Sequence, residues 1–115
     1  MAGAERDRAL TDVLFAVAEP KRRSILDALA SGERSVTDLC ALFDISQPAV
    51  SQHLEILRTA GLVSVRKAGR FRLYRLEPET MKLVFDYAGH FEKLWHRKLD
   101  ALGELLDAED PEGSS

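Results

Sequence analysis

Ser46-Gln47-Pro48-Ala49-Val50-Ser51-Gln52-His53-Leu54-Glu55-Ile56-Leu57-Arg58-Thr59-Ala60-Gly61-Leu62-Val63 carries the signals of a helix with a marked start, one apolar face and a marked end. Ser46 is placed to accept hydrogen bonds from the free amides of a first helical turn, and Pro48 falls where a missing amide costs nothing. Val50, Leu54 and Leu57 then recur at i, i+4 and i+7, a narrow apolar stripe that holds one face against a core. Pro48, Ser51, Gln52, Glu55 and Thr59 fall on the opposite face, with Gln47 at its N-terminal edge. Gly61 ends the helix with the residue best able to take a left-handed C-cap. The outward side chains are short, polar and amide-rich, which suits hydrogen bonding to base edges. On an isolated helix the same face reads more simply as solvated. The neighbouring segments decide between the two.

Upstream, Ser35-Val36-Thr37-Asp38 has the spacing of a capping box, with Asp in place of the usual Glu. Val36, Leu39, Cys40 and Phe43 follow at i, i+3, i+4 and i+7 and predict a short helix, and Asp44-Ile45 forms a tight turn before Ser46. Two helices of about two and four turns, joined by a link of about three to four residues, have the layout of a helix-turn-helix. Downstream the period changes. Leu62 to Arg66 and Phe71 to Leu76 alternate β-branched or aromatic residues with polar ones and predict two strands. Lys67-Ala68-Gly69-Arg70 joins them as a hairpin tip, with Gly69 supplying a positive φ. A basic hairpin directly after a helix-turn-helix is a wing, suited to gripping phosphates beside the groove that the helix enters.

Leu10, Val13, Leu14 and Val17 mark a first amphipathic helix, and Glu19-Pro20 starts a second with Ile25, Ala28 and Leu29 inward and Gly32 as its stop. Lys21, Arg22 and Arg23 put positive charge in that helix's first turn, against the preference of its dipole. A phosphate neighbour and a solvated cluster both remain open there. Glu77-Pro78-Glu79 starts the last element, in which Met81, Val84, Ala88, Phe91, Trp95, Leu102 and Leu105 fall at mostly three and four spacing. The pattern predicts one helix of roughly thirty residues, about 45 Å long. Its apolar side is too long for so small a domain to cover, so burial against a second copy is expected. Gly89 is expected to permit a kink or a close crossing, at a cost of about 1 kcal/mol relative to Ala. Residues 1–109 are read as one DNA-binding and dimerisation domain, and 110–115 as a disordered acidic tail.

The 115 residues are one domain's worth of chain, and 45% hydrophobic with 30% charged is soluble globular composition. No apolar run approaches membrane-spanning length, and Glu5, Arg6, Asp7 and Arg8 lack the layout of a signal peptide. One cysteine excludes an intramolecular disulfide, which fits a reducing cytoplasm. The net charge of −3 argues against nucleic acid, but the way the charge is distributed argues for it. Arg66, Lys67, Arg70, Arg72 and Arg75 lie between Gly61 and Leu76 with no acid among them, and six acids follow from Asp100 with no base. Local field decides the binding of a polyanion.

The order of helix, helix, helix-turn-helix, basic hairpin and long helix resembles the ArsR/SmtB family of bacterial winged-helix repressors. The resemblance covers about Leu10 to Leu106. It is carried by Ala18-Glu19-Pro20-Lys21-Arg22-Arg23-Ser24-Ile25-Leu26, by Ser46 to Leu54, and by Ala60-Gly61-Leu62-Val63 with the Gly69-Arg70 wing and Tyr74-Arg75-Leu76. It implies a mainly α fold with a small β-hairpin, a winged helix-turn-helix that dimerises through its first and last helices. It also implies repression at a twofold-symmetric, double-stranded operator, relieved in most relatives by an effector. Many relatives sense metals. One family site uses a Cys-Val-Cys type motif where this chain has Leu39-Cys40-Ala41-Leu42, with a single thiol on an apolar stripe. The other uses Asp and His pairs on the final helix, where Asp86, His90 and His96 lack the family spacing. The expectation is therefore a member with no cofactor and no metal, the alternative being a non-standard His/Asp site.

Within this motif the first two turns of the second helix enter the major groove. Gln47, Ser51 and Gln52 are accordingly expected at base edges, with Ser46 on the backbone; His53, nearer the apolar face, is placed with the backbone contacts but reads equally as a packing residue. Lys67, Arg70 and Arg72 are expected on phosphates from the wing, while Arg66 and Arg75 either assist or are simply solvated. Leu10, Leu14, Val17, Phe91, Trp95, Leu99 and Leu102 are expected at the dimer seam. A winged helix used only for protein contact is the competing function, disfavoured by the charge on the wing. An enzyme is weaker still, since no nucleophile with its base, phosphate loop or paired carboxylates is present.

Overall fold

The computed structural model describes residues 3–109; the expected acidic tail lies outside them. The elements run α1 (Gly3–Val17), α2 (Pro20–Ala30), β1 (Arg34–Ser35), α3 (Val36–Phe43), α4 (Gln47–Thr59), β2 (Val63–Ala68), β3 (Phe71–Leu76), α5 (Pro78–Gly89) and α6 (Glu92–Glu109). The chain divides into two units between Val84 and Phe85.

In the first unit each helix start is chemically marked. Glu19 caps α2 by accepting from the Arg22 amide at 2.9 Å, and Pro20 follows at the first helical position. Ser35 and Asp38 form the capping box of α3, with the Asp38 amide on Ser35 Oγ at 3.1 Å and the Ser35 amide on Asp38 Oδ2 at 3.3 Å. Ser46 caps α4 through the Ala49 amide. Asp44, at φ 53°, makes the left-handed turn out of α3. The end of α4 is a Schellman motif: Leu62 N donates to Leu57 O at 2.9 Å and Gly61 N to Arg58 O at 2.9 Å, with Gly61 at φ 81°. Thr80 Oγ1 donates to the Gly61 carbonyl at 2.7 Å, which docks the start of α5 on this turn.

The core takes one stripe from each helix: Val13 and Ala16 of α1, Ile25, Leu26 and Leu29 of α2, Leu39 of α3, and Val50, Leu54 and Leu57 of α4. Leu62 and Val63 close it below the sheet, and Met81, Leu83 and Val84 pack on its edge. Each fully buried aliphatic side chain contributes about 1.5–3 kcal/mol. The buried stripe of α4 is the one the spacing predicts, so the opposite face is turned outward.

Two elements differ from expectation. The hairpin is part of a three-stranded antiparallel sheet of order β1-β3-β2, in which Arg34 pairs with Tyr74 and Ser35 with Leu73. A two-residue strand carries no periodicity to read. The single long last helix is two helices, of 12 and 18 residues. Between them His90 N donates to Tyr87 O and Phe91 N to Ala88 O, tight i−3 bonds that end α5 after Gly89. The Tyr87 ring meets Phe91 and His90 edge-on, with centroids 5.6 Å and 6.4 Å away, so the expected kink at Gly89 is a full break held by aromatic contacts.

Candidate nucleic-acid interface

Gln47, Pro48, Ser51 and Gln52 are all exposed on the first two turns of α4. Ser46 is exposed too, but its hydroxyl already accepts the Ala49 amide. Farther along, Arg58 grips Glu55 through Nη2–Oε1 at 2.6 Å and Nε–Oε2 at 3.0 Å. The Arg58 hydrogen bonds hold the Glu55 carboxyl below its ordinary range. The carboxylate that would otherwise repel DNA from this face is thereby neutralised.

On the wing, β2 and β3 pair from Val63↔Leu76 to Ala68↔Phe71, and Gly69, at φ 64°, turns the tip with Arg70. The five cations sort into two groups. Arg66 is held by Glu33, Nε–Oε2 at 2.7 Å and Nη2–Oε1 at 3.0 Å, and Arg75 by Glu77 at 3.1 Å. The Glu33 carboxyl is drawn below its ordinary range by the Arg66 hydrogen bonds, and that of Glu77 by the Ser64 hydroxyl and then by Arg75. Arg66 and Arg75 are thus tied at the base of the wing. Lys67, Arg70 and Arg72 are exposed, and none of them has an ion pair among the described residues. Lys67 and Arg72 are cross-strand partners, a like-charge pairing that destabilises a ribbon until an anion lies against it.

Arg22 departs from the sequence-based expectation, and His53 takes the packing alternative rather than the phosphate one. Only 18% of the His53 side chain is exposed, and its Nδ1 lies 3.5 Å from Arg22 Nη1 and 3.9 Å from Glu19 Oε2. It is turned into the protein beside α2 rather than standing among the outward residues of α4. Arg22, expected to be solvated or on a phosphate, is buried. Its Nε donates to Ala16 O at 2.7 Å, its Nη2 to Phe15 O at 3.3 Å, and its guanidinium lies 5.5 Å from the Phe15 ring centre. The carbonyls at the end of α1 lack intrahelical i+4 partners, and Phe15 O accepts the Ala18 amide at 3.2 Å besides Arg22, so the negative end of the helix draws a cation in. No periodicity separates Arg22 from Lys21 and Arg23, and no motif announces Glu33 or Glu77 as partners of the wing.

Cys40 packs against the core as its apolar register suggests. Asp86 lies in α5, His90 in the break, and His96 in α6 with Nε2 3.6 Å from Glu92 Oε1. Leu14 is exposed on α1, whereas Val17, expected at the seam, is half-buried against the chain's own core. Phe91, Trp95, Leu99 and Leu102 are all exposed. Among the described residues no helix is long and apolar enough to cross a membrane.

An outward polar face on the second helix of a helix-turn-helix, flanked by a hairpin with three unneutralised cations, defines a winged-helix DNA-binding domain. The comparisons with known proteins agree. Residues 19–65 match the model for "Bacterial regulatory protein, arsR family". The chain is 38% identical over 94 residues to the HTH-type transcriptional regulator Rv2034 of Mycobacterium tuberculosis, covering 82% of this chain and 85% of that one. It is 36% identical over 73 residues to the transcriptional repressor SdpR of Bacillus subtilis, covering 64% and 81%. The homodimeric winged helix-turn-helix DNA-binding domain of Mb0332 from Mycobacterium bovis superposes with a TM-score of 0.65 at 29% identity, over 84% of this chain and 95% of that one. This chain belongs to the ArsR family and is a DNA-binding transcriptional regulator rather than an enzyme.

Proposed function

We propose that the protein represses transcription in the cytoplasm as a homodimer on a twofold-symmetric operator, without a bound metal. Residues 1–109 serve as the DNA-binding and dimerisation region. Gln47, Ser51 and Gln52 read base edges, the amides behind Ser46 face a phosphate, and Lys67, Arg70 and Arg72 grip the backbone. The observation that carries this reading is the division of the wing's charge, with Arg66 and Arg75 paired to acids and Lys67, Arg70 and Arg72 left exposed. The repressor SdpR and the homodimeric Mb0332 domain support repression and dimerisation respectively. Gln47→Ala and Gln52→Ala each lose about 1–3 kcal/mol of discrimination between operator and altered sites where the contact is bidentate. Competition binding with single-base operator variants checks this. Unchanged discrimination in both proteins, with folding intact, removes the assignment.

Metal independence rests on the lone Cys40 and on the spacing of Asp86, His90 and His96. Adding zinc, cadmium or arsenite to the operator complex is expected to leave its affinity unchanged. Stoichiometric zinc binding that released DNA, and was lost in His90→Ala or His96→Ala, would establish the alternative, a metal-responsive repressor.

A further inference from the structure

We propose that Arg22 is a positioning residue for DNA recognition, which sets the rotation of α4 by joining the end of α1 to His53. The proposal rests on the proposed function, in which α4 reads the operator as part of a homodimer, and on the seam that the family resemblance implies at the first and last helices. Three polar contacts place one guanidinium between two helices. Nε and Nη2 are spent on Ala16 O and Phe15 O, and Nη1 is directed at His53 Nδ1, 3.5 Å away. Glu19 Oε2 stands 3.9 Å from the same nitrogen, and Glu19 also accepts the Arg22 amide, so the start of α2 frames the contact. Arg23 Nη1 takes the next carbonyl of α1, that of Val17, at 2.8 Å, but Arg23 is exposed. Of this arginine pair, Arg22 is the one that spans to α4.

The consequence follows from what else holds α4. Val50, Leu54 and Leu57 anchor it through apolar burial, which is non-directional and resists separation more than rotation about the helix axis. A hydrogen-bonded contact is directional. His53 follows Ser51 and Gln52 in the same turn, so fixing its ring fixes the direction in which those side chains leave the helix. A planar guanidinium with five donors in a fixed fork can serve α1 and His53 together, and a lysine ammonium cannot reproduce that geometry. The reading helix is thereby tied to the helix that sets the dimer's spacing.

The test uses the full chain and an inverted-repeat operator selected by the wild type, with versions whose half-sites are one base pair closer or farther apart. Arg22→Lys and His53→Ala are each expected to lower affinity for the native spacing about tenfold, roughly the loss of one good base contact. Nonspecific DNA should bind within about twofold of wild type, and the penalty for altered spacing should shrink. The double variant should be no worse than either single. His53→Asn, which keeps an acceptor near the Nδ1 position, should stay within about threefold of wild type.

Additive single effects, or operator and nonspecific binding falling in the same proportion, would overturn the proposal. So would wild-type affinity and spacing preference in His53→Ala, which decides the matter if Arg22→Lys does not fold. A wild type indifferent to spacing would remove the dimeric reading itself and the proposal with it. A spacing preference retained by Arg22→Lys would remove the proposal alone.

Discussion

Trp95→Ala is expected to raise the dimer dissociation constant about a thousandfold and to abolish tight operator binding while leaving the reading residues untouched. Trp95, Leu99, Leu102 and Leu106 follow one another on α6 at i, i+4, i+7 and i+11, and each is exposed in the chain, Trp95 by 65%. Four large apolar side chains in one row are more than a solvated helix face needs. A central tryptophan at an interface costs about 2 kcal/mol or more on truncation, and a twofold interface contains it twice. The sum, about 4 kcal/mol, is close to three decades in affinity. Trp95 is not part of the first unit's core, so truncation should leave residues 3–84 folded. Sedimentation should therefore report a folded monomer. A Trp95→Ala protein that stayed dimeric and bound the operator normally would move the seam elsewhere.

Replacing Lys67, Arg70 and Arg72 together by Ala should have the second largest effect. Two copies of the wing would lose about six phosphate contacts, and each contact contributes about 0.9 to the slope of log affinity against log salt. The slope should therefore flatten by about five, and all sequences should weaken alike, because phosphates carry no sequence information. The corresponding Arg66→Ala and Arg75→Ala changes should leave the slope nearly unaltered, since Glu33 and Glu77 already neutralise those side chains. A triple variant with an unchanged slope would require a different role for the wing.

The helix-turn-helix was legible because its signals are local and redundant. Ser35 with Asp38, Ser46 with Pro48, and Gly61 mark ends that periodicity also marks, and the structure uses each of them for that purpose. The wing was legible from alternation and from Gly69. What escaped depends on partners distant in sequence. Arg66 meets Glu33 across 33 residues, and His53 meets Arg22 across 31, and no spacing rule connects such pairs. A run of three basic residues looks uniform in sequence, yet the carbonyls ending α1 select Arg22 for burial and leave Lys21 exposed. The break after Gly89 escaped for another reason. The apolar repeat continues across it, and only the tight bonds at His90 and Phe91 end the helix.

Selection of bound sequences from random double-stranded DNA shows whether two copies of α4 read a symmetric site. The wild type should enrich an inverted repeat whose half-sites lie about 34 Å apart, one helical turn, or a multiple of it. Gln52→Ala should relax the same position in both half-sites and leave the spacing intact. Enrichment of a single unrepeated motif, or a Gln52→Ala motif identical to that of the wild type, would contradict a symmetric site read by α4.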